Sequence, residues 1–306
     1  MPSDQHDVIV VGGSYAGLSA ALALVRARKR VLVIDAGTRR NRFAHAAHNL
    51  IGQDGRGPGA IARDARADVA AYPTATFIDG TAVAATRDDA GFAVTLEDGA
   101  THHAARLVLA IGVEDELPDL PGLREEWGRG VFHCPYCHGY EVAGRRLGVL
   151  AFGPMAIHLA NLIPDWGPTT FLTNGTIHLT VDERDALEAR GVAVEDAAVT
   201  AVVSNGEGLQ GVRLADGRAI PLDALFIAAP VRLGSPLAAQ LGCDIDETAL
   251  GPIIRVDARG QTTVPGVFAA GDAAQPNKSL AGAIASGMLA GAMAHQSLLP
   301  ATTPSR

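Results

Sequence analysis

The chain has 306 residues, of which 48% are hydrophobic, a length that predicts about two domains with sizeable cores. A formal net charge of −8 argues against a nucleic-acid partner, because phosphate binding needs clustered positive charge. The polar stretch Met1 to Asp7 does not resemble a signal peptide, and the uncharged run Leu147 to Pro164 is interrupted by Pro154 and polar residues. We therefore expect a cytoplasmic protein that does not span a membrane.

The first elements of the chain form a dinucleotide-binding pattern. The apolar strand Asp7 to Val11 leads into Gly12-Gly13-Ser14-Tyr15-Ala16-Gly17, a helix follows to about Arg28, and the strand Val31 to Ile34 ends at Asp35. Gly12 suits the tight turn, Gly17 allows close packing of helix on strand, and the helix N-terminus faces a pyrophosphate. Asp35 lies 23 residues after Gly12, where an acid hydrogen-bonds a ribose. Ser14 replaces the usual middle glycine but is small enough for close approach.

The stretch from Arg39 to Gly112 predicts the rest of this first unit. It contains a basic run, Arg39 to Arg42, a glycine-containing loop, His45 to Gly59, a helix, Ile61 to Ala71, two strands, Phe92 to Leu96 and Thr101 to Leu109, and an apolar run from Leu107 through Ile111 into Gly112. Glu97-Asp98-Gly99 between the two strands is a strong hairpin pattern. We expect the basic run and the loop to lie near the cofactor.

The segment Val131 to Glu141, Val-Phe-His-Cys-Pro-Tyr-Cys-His-Gly-Tyr-Glu, contains two of the three cysteines. Cys134 and Cys137 are spaced to close a disulfide on the first turn of a helix, a position that Pro135 favours. A helix N-terminus lowers the pKa of a thiol, and the thiolate is the nucleophile in disulfide exchange. His138 could carry the proton.

Three other interpretations of this segment stay open at this point. Cys-x-x-Cys-His is also the haem attachment string of c-type cytochromes, although the chain shows no sign of export. A zinc site needs four ligands, and only His133 and His138 accompany the two thiols, so we predict no metal site. The cysteines could also be merely buried, as we expect for the isolated Cys243.

The strand–turn–helix construction recurs in the second half of the chain. The strand Leu147 to Leu150 leads into Ala151-Phe152-Gly153-Pro154-Met155-Ala156 and a helix, followed by the strand Thr169 to Leu172. A second hairpin turn, Leu214 to Gly217, precedes the apolar strand Leu225 to Ala229. The chain is therefore expected to contain two nucleotide-binding-like units.

The second turn has lost residues that a nicotinamide cofactor needs. Ala151 replaces the first glycine, and Phe152 adds bulk where bare backbone should face a pyrophosphate. Thr173 and Asn174 occupy the place of the ribose acid, and no arginine that could bind a 2′-phosphate follows before Arg184. NAD(P)H binding at this unit is therefore doubtful.

Near the C-terminus, Thr263 to Asp272 predicts a strand that ends in Gly271-Asp272, and a helix rich in small residues follows from Ser279 to Ala294. The carboxylate could bind a sugar-like chain, and the helix N-terminus could stabilise negative charge on a bound ring. A surface turn followed by a packing helix is the alternative.

Together these segments resemble the low-molecular-weight thioredoxin reductase-like FAD flavoproteins, in that family's order along nearly the whole chain. The matching pieces are Gly12 to Gly17, Asn49 in His-Asn-Leu-Ile-Gly, Ala110-Ile111-Gly112, Cys134-x-x-Cys137 and Gly266 to Asp272. The resemblance implies an α/β fold of two Rossmann-like units, the second inserted into the first, each with a β-meander. It implies an FAD-binding domain of residues 1–114 and 231–306, and an inserted NAD(P)H-like domain of residues 115–230 that carries the cysteine pair.

The resemblance also implies FAD as the cofactor and suggests residues that contact it. It assigns the pyrophosphate to the glycine turn, the adenosine ribose to Asp35, a ribityl hydroxyl to Asp272, and the flavin edge to backbone near Ala283. The full set of expected FAD contacts is Gly12, Gly13, Ser14, Tyr15, Ala16, Gly17, Asp35, Ala36, Arg42, Asn49, Val83, Ala110, Ile111, Gly112, Gly271, Asp272, Gly282 and Ala283.

Two departures from the reductases point to a different branch. Reductases of this group usually have aspartate after the second cysteine, where this chain has His138, and a complete nucleotide motif in the second unit. Cys-Pro-Tyr-Cys-His-Gly-Tyr-Glu is instead similar to the dithiol oxidases that close disulfides in natural products such as gliotoxin and holomycin. In that branch electrons pass from a small dithiol through the cysteines and FAD to molecular oxygen.

The sequence therefore predicts an FAD-dependent dithiol oxidase with Cys134, Cys137, His138 and Glu141 as catalytic residues. The resemblance assigns exchange with substrate to Cys134 and the flavin side to Cys137, and it implies a homodimer. We expect His138 to deprotonate the incoming thiol and Glu141, on the same helix face, to orient His138. The alternatives are a disulfide reductase fed by NAD(P)H or by a protein donor such as ferredoxin, and a flavin-bound redox sensor.

Overall fold

The computed structural model describes residues 5–206 and 208–300. The ends of the expected FAD-binding domain, residues 1–4 and 301–306, therefore lie outside the described residues, as does the first part of the stretch that does not resemble a signal peptide. In chain order the first elements are β1 Gln5–Val11, α1 Tyr15–Arg26, β2 Val31–Asp35, α2 Pro58–Ala70, β3 Ala75–Asp79, β4 Ala82–Asp88, β5 Gly91–Leu96, β6 Thr101–Leu109 and β7 Val113–Asp115.

The following elements are α3 Leu123–Glu126, β8 Val131–Phe132, α4 Pro135–His138, β9 Leu147–Leu150, α5 Ala156–Leu162, β10 Thr169–Leu172, α6 Val181–Ala189, β11 Ala193–Glu195, β12 Val199–Ser204, β13 Leu209–Leu214, β14 Ala219–Pro221 and β15 Ala224–Ile227. The last are β16 Val231–Leu233, α7 Leu237–Gln240, β17 Ile245–Thr248, β18 Gly251–Ile254, β19 Val267–Ala269 and α8 Leu280–Ser297. Short 3₁₀ helices cover Arg40–Phe43, Ile163–Asp165 and Gly271–Ala273.

The chain divides into two compact units. Unit 1 contains the residues up to Arg42, Gly59–Glu114 and the residues from Arg232 onward; unit 2 contains Phe43–Pro58 and Asp115–Val231. The segment Phe43–Pro58, which lies inside the expected FAD-binding domain by sequence, packs with unit 2. Which nucleotide each unit binds stays a prediction at this level.

Unit 1 is built on a mixed sheet with strand order β3-β2-β1-β6-β5-β4, and β19 also pairs with β6. The strands β3, β2, β1, β6 and β19 are parallel, whereas β4, β5 and β6 form an antiparallel meander. Successive residues of β1 face opposite sides of this sheet, as a period of two requires: Val8 and Val10 enter one core, Ile9 and Val11 the other. Burial on both faces explains why the second half of β1, Val8 to Val11, is a continuous apolar run.

Unit 2 repeats the architecture on a smaller scale. Its parallel sheet has the order β11-β10-β9-β15-β8, and a separate antiparallel sheet has the order β12-β13-β14. Leu147 and Val149 of β9 enter the core that includes Phe171 and Phe226, whereas Leu150 enters the opposite core. Parallel strands with both faces covered predict a site at their carboxyl ends, which is where the turn after β9 lies.

Most of the strands expected from the sequence form, and the differences have local causes. The helix α1 ends at Arg26 rather than Arg28, because Arg28 adopts a left-handed backbone with φ of 62°. The expected strand from Thr263 shrinks to Val267–Ala269, because Val264 to Val267 closes a turn through Gly266, whose φ is 88°. The strands β3 and β4 were missing from the sequence prediction.

The uncharged run Leu147 to Pro164 forms β9, a turn, α5 and the start of a 3₁₀ helix, as the sequence predicts. Among the helices of the described residues, none combines the length and the apolar character that crossing a membrane requires.

Candidate functional site

The cysteine pair of unit 2 follows directly from the edge strand β8. Cys134 is the extended N-cap residue of α4, Pro135 takes the first helical position, and Cys137 lies one turn along. This geometry brings the two Sγ atoms to 2.7 Å from each other, with both cysteines partly exposed. The pair is therefore placed to open and close a disulfide.

The helix that carries the pair is shorter than the sequence predicts. It comprises only Pro135–His138, and the amide of Gly139 donates to the carbonyl of Pro135 at its end. A single turn sums few peptide dipoles, so the helix contributes little to thiol acidity. Glu141 lies beyond the helix, so the expectation that it shares a helix face with His138 is wrong.

The imidazole of His138 lies against the ring of Phe132, with ring centroids 4.4 Å apart. Its Nδ1 and Nε2 atoms are both buried and make no hydrogen bond within the described residues. Burial lowers the pKa of His138 below its ordinary value; Glu141 opposes this shift and His48 adds to it. The ring is therefore neutral near pH 7 and has an acceptor nitrogen for a proton.

Glu141 contacts a different histidine. Its carboxylate lies 3.3 Å from Nε2 of His48, while Nδ1 of His48 lies 3.4 Å from Asp54. Neither ring nitrogen of His138 donates to Glu141 in the described structure, so Glu141 does not orient His138 by a direct hydrogen bond. The side chain of Asn49, an expected FAD contact, donates to the carbonyl of Tyr136 between the two cysteines. A contact of Asn49 with FAD stays a prediction.

The glycine turn of unit 1, here called the cradle, has no room for side chains at its glycines. A Cβ on Gly12 would lie 2.2 Å from the carbonyl oxygen of Ala110, and one on Gly17 would lie 1.7 Å from the carbonyl oxygen of Gly12. A Cβ on Gly13 would lie 2.6 Å from the Cβ of Asp35. The cradle opens at the N-terminus of α1, where the side chain of Ser14 makes no capping hydrogen bond and the first turn has no acidic residue. These features fit a dinucleotide whose pyrophosphate faces open helix amides.

Two residues of the basic run extend this cradle. Arg40 donates to Asp272 at 3.0 Å, and both side chains are mostly buried, with 18% and 21% exposed. Asn41 donates to the hydroxyl of Tyr15, the first residue of α1. Arg42, an expected FAD contact, donates to backbone carbonyls of its own turn, and its contact with FAD stays a prediction. The fold shows that Arg40 is the arginine of the basic run that reaches Asp272.

The remaining expected FAD contacts of unit 1 lie at strand and helix ends. Gly112 and Gly271 have positive φ, 62° and 73°, in turns where β-carbons are disfavoured. The residues Ala36, Ala110 and Ile111 follow the ends of β2 and β6. Val83 lies on β4, and its carbonyl accepts from Gln240. At the start of α8 the amide of Gly282 donates to the hydroxyl of Ser279, and the amide of Ala283 donates to the Ser279 carbonyl. Both amides are therefore hydrogen-bonded within the helix.

The corresponding turn of unit 2 offers much less to a dinucleotide. The helix α5 has 7 residues against 12 in α1. At the end of β10, the hydroxyl of Thr173 donates to Asp196, and the side chain of Asn174 accepts from the amide of Val199. Arg184 also pairs with Asp196. The polar groups that could recognise a ribose or its phosphate are therefore bound to one another.

In the part of the chain that the structure describes, no three His, Cys, Asp or Glu side chains converge to hold a metal ion.

The protein has a glycine cradle at the parallel strands of unit 1, a second parallel sheet in unit 2, and a thiol pair after an edge strand. These features define a two-unit thiol/disulfide oxidoreductase. Residues 6–293 match the model of the pyridine nucleotide-disulphide oxidoreductase family, and the chain belongs to this family.

Known relatives agree with this assignment. The chain is 34% identical to the thioredoxin reductase tcpT of Claviceps purpurea over 304 residues, which cover 96% of this chain and 94% of tcpT. The structure superposes on an oxidoreductase from Agrobacterium tumefaciens with a TM-score of 0.92 and 48% identity, covering 96% of this chain and 98% of the other. It superposes on HlmI with a TM-score of 0.91 and 36% identity, covering 97% and 93%.

These findings confirm the predicted resemblance to thioredoxin reductase-like flavoproteins and the α/β fold of two Rossmann-like units. The protein is an FAD-dependent thiol/disulfide oxidoreductase. Its partners are therefore dithiol or disulfide substrates. Whether NAD(P)H also binds is a separate question, because the second nucleotide turn differs from the first.

Proposed function

We propose that the protein is a dithiol oxidase, which closes a disulfide in a small dithiol through Cys134 and Cys137 and uses molecular oxygen as the final acceptor. The polar contacts at the end of β10 support a flow of electrons from the dithiol substrate rather than from a nicotinamide. Thr173 and Asn174 are bound to Asp196 and Val199, so a nicotinamide donor finds few free partners in unit 2. Electrons then enter through the cysteine pair.

We further propose that unit 1, the expected FAD-binding domain, holds FAD, and that unit 2 is the inserted domain with the cysteine pair. Gly12 to Gly17 with the N-terminus of α1 would bind the pyrophosphate, Asp35 the adenosine ribose, and Asp272 a ribityl hydroxyl. Support comes from the cradle at Gly12 and Gly17, which leaves no room for a β-carbon. When bound, FAD supplies a two-electron acceptor for the cysteine pair.

The proposed reaction at the cysteines begins from their disulfide. His138 takes the proton of one substrate thiol, and the resulting thiolate attacks Sγ of Cys134, which breaks the Cys134–Cys137 bond and releases the Cys137 thiolate. The second substrate thiol then attacks the substrate sulfur of the mixed disulfide and releases Cys134. The substrate is oxidised to a disulfide, and the cysteine pair gains two electrons.

His138 suits the role of base because of its surroundings. Its ring has no hydrogen-bond partner among the described residues, and burial keeps its pKa low, so it is neutral and can accept a proton near pH 7. Overall, two electrons and two protons per substrate reduce one oxygen molecule to hydrogen peroxide.

A disulfide reductase is the second candidate, because tcpT and several other relatives are named thioredoxin reductases. In that case electrons would enter from NAD(P)H or a protein donor and leave through the same cysteines. We also propose a homodimer, by analogy with the family, and a cytoplasmic location, because three cysteines are too few for a disulfide scaffold. Mass photometry and cell fractionation test these two points.

An aerobic assay with dithiothreitol as the dithiol and no nicotinamide tests the oxidase. We expect one hydrogen peroxide per disulfide formed, loss of turnover in Cys134→Ser, and unchanged turnover in the control Cys243→Ser, whose thiol is buried elsewhere. His138→Ala should slow turnover by about 10²-fold if the base role holds. Turnover that requires NADPH, or that survives in Cys134→Ser, would contradict the proposal.

A further inference from the structure

The segment of unit 2 from Ala47 to Arg56, here called the clasp, contacts the cysteine segment on both sides of His138. The side-chain amide of Asn49 donates to the carbonyl of Tyr136, the residue before Cys137. Nε2 of His48 lies 3.3 Å from the carboxylate of Glu141, three residues after His138. The adjacent residues His48 and Asn49 thus contact the cysteine segment, Val131 to Glu141, on both sides of His138.

The clasp is an ordered turn in its own right. Ala47 and Arg56 pair through the Ala47 amide and the Arg56 carbonyl, and the Gly55 amide donates to the carbonyl of Ala47. The carboxylate of Asp54 accepts from the amide of Asn49 at 2.9 Å and lies 3.4 Å from Nδ1 of His48. His48 and Asn49 are therefore fixed together by one aspartate.

Asn49 adopts a left-handed backbone with φ of 62°, which costs energy for a residue with a β-carbon. Asparagine tolerates this conformation better than most residues. The conformation is accompanied by two hydrogen bonds, one from the backbone amide of Asn49 to Asp54 and one from its side chain to Tyr136. These two hydrogen bonds offset the strain at Asn49, and the one to Tyr136 also holds the cysteine segment.

The charges around His138 depend on this arrangement. The titratable groups that face it are Glu141 and His48, with Asp54 beyond His48, and the thiols of Cys134 and Cys137 share its segment. Glu141 favours the protonated form of His138, and His48 disfavours it. With Glu141 turned to His48, both ring nitrogens of His138 stay without a hydrogen-bond partner in the described structure.

We propose that the clasp positions the exchange site: Asn49 fixes the backbone between the two cysteines, and His48 holds Glu141 away from His138, so that His138 acts as a base without a carboxylate partner. This inference rests on the proposed function only through the role of His138. His48 and Asn49 are positioning residues, because they act through Glu141 and the Tyr136 carbonyl.

Two variants separate the two contacts. In His48→Leu, Glu141 loses its partner and is free to turn to His138, which raises the pKa of His138, so exchange at acid pH should slow by about threefold. Asn49→Gly keeps the left-handed backbone and removes only the side-chain amide, so it should slow exchange by about fivefold at every pH, the value of one hydrogen bond. The matched control His45→Leu changes an exposed histidine of the same loop.

The measurement is the anaerobic rate at which dithiothreitol reduces the oxidised holoenzyme between pH 5 and 8, with an NMR titration of His138. We expect the acid limb of the rate profile and the His138 titration to move to higher pH in His48→Leu, to return to their wild-type positions in His48→Leu/Glu141→Gln, and to keep those positions in His45→Leu. An unmoved His138 titration in His48→Leu, or a normal rate in Asn49→Gly, would overturn the clasp. A normal rate in His138→Ala would instead contradict the base role in the proposed function.

Discussion

At the scale of single residues, the structure shows partners that residue types alone do not specify. Glu141 is three residues from His138 in sequence, yet its carboxylate contacts His48. Arg42 lies in the expected basic run, yet Arg40 is the arginine that reaches Asp272. The sequence predicted neither pairing, because partner choice depends on side-chain direction within short turns, which spacing does not encode.

Arg40 provides a prediction at this scale. It neutralises Asp272, the mostly buried carboxylate that we propose binds a ribityl hydroxyl of FAD. Arg40→Gln should therefore weaken FAD binding by about tenfold, or about 1.4 kcal/mol. Arg42→Gln, which removes an arginine that donates to the backbone carbonyls of Thr38 and Arg39 rather than to Asp272, should bind FAD more tightly than Arg40→Gln.

The measurement is the dissociation constant of FAD for the deflavinated protein, followed by quenching of flavin fluorescence. Equal affinities for the two arginine variants would show that the Arg40–Asp272 pair does not support the cofactor.

At the scale of elements, close packing of α1 against α8 fixes the glycine cradle of unit 1. A Cβ on Gly287 would lie 2.1 Å from the carbonyl oxygen of Ala16, and one on Gly291 would lie 2.4 Å from that of Ala20. Two glycines one turn apart on α8 thus let the helix backbones approach. The small residues of Ser279 to Ala294 allowed a packing helix as one interpretation of the sequence. Only the structure shows that this helix packs against α1.

Gly287→Ala tests this contact. The new methyl group meets backbone rather than a flexible side chain, so it forces the helices apart and should lower the free energy of unfolding by about 2 kcal/mol. The control Gly59→Ala, near the start of α2, places its methyl group at ordinary distances from Arg39 and Arg63 and should be neutral or stabilise by about 0.5 kcal/mol.

Both variants are compared by urea unfolding of the FAD-bound protein, read by circular dichroism. A Gly287→Ala protein as stable as the control would mean that α8 shifts without cost and that the glycines are not required for packing.

At the scale of the whole molecule, the chain builds two similar units whose nucleotide turns differ. In unit 1 the turn after β1 is too tight for side chains at Gly12 and Gly17. In unit 2 the polar groups after β10 bind one another. This asymmetry supports our proposal that electrons enter through the cysteine pair.

The repeat could be predicted from sequence because strand–turn–helix patterns and hairpin turns are local. The α/β fold and the relationship to thioredoxin reductase-like proteins followed from motifs in a fixed order, and both are confirmed. The contacts of Thr173 with Asp196 and of His48 with Glu141 join residues far apart in sequence. Such pairs depend on how loops cross strand ends, which no local pattern specifies.

The direction of electron flow is tested most directly by mixing the purified yellow protein anaerobically with a dithiol, NADPH or NADH and following the visible flavin band. We predict that dithiothreitol alone bleaches the band, that Cys134→Ser is not bleached by it, and that neither nicotinamide bleaches the wild type on the same timescale. Rapid bleaching by NADPH or NADH would contradict electron entry through the cysteines and would favour a reductase.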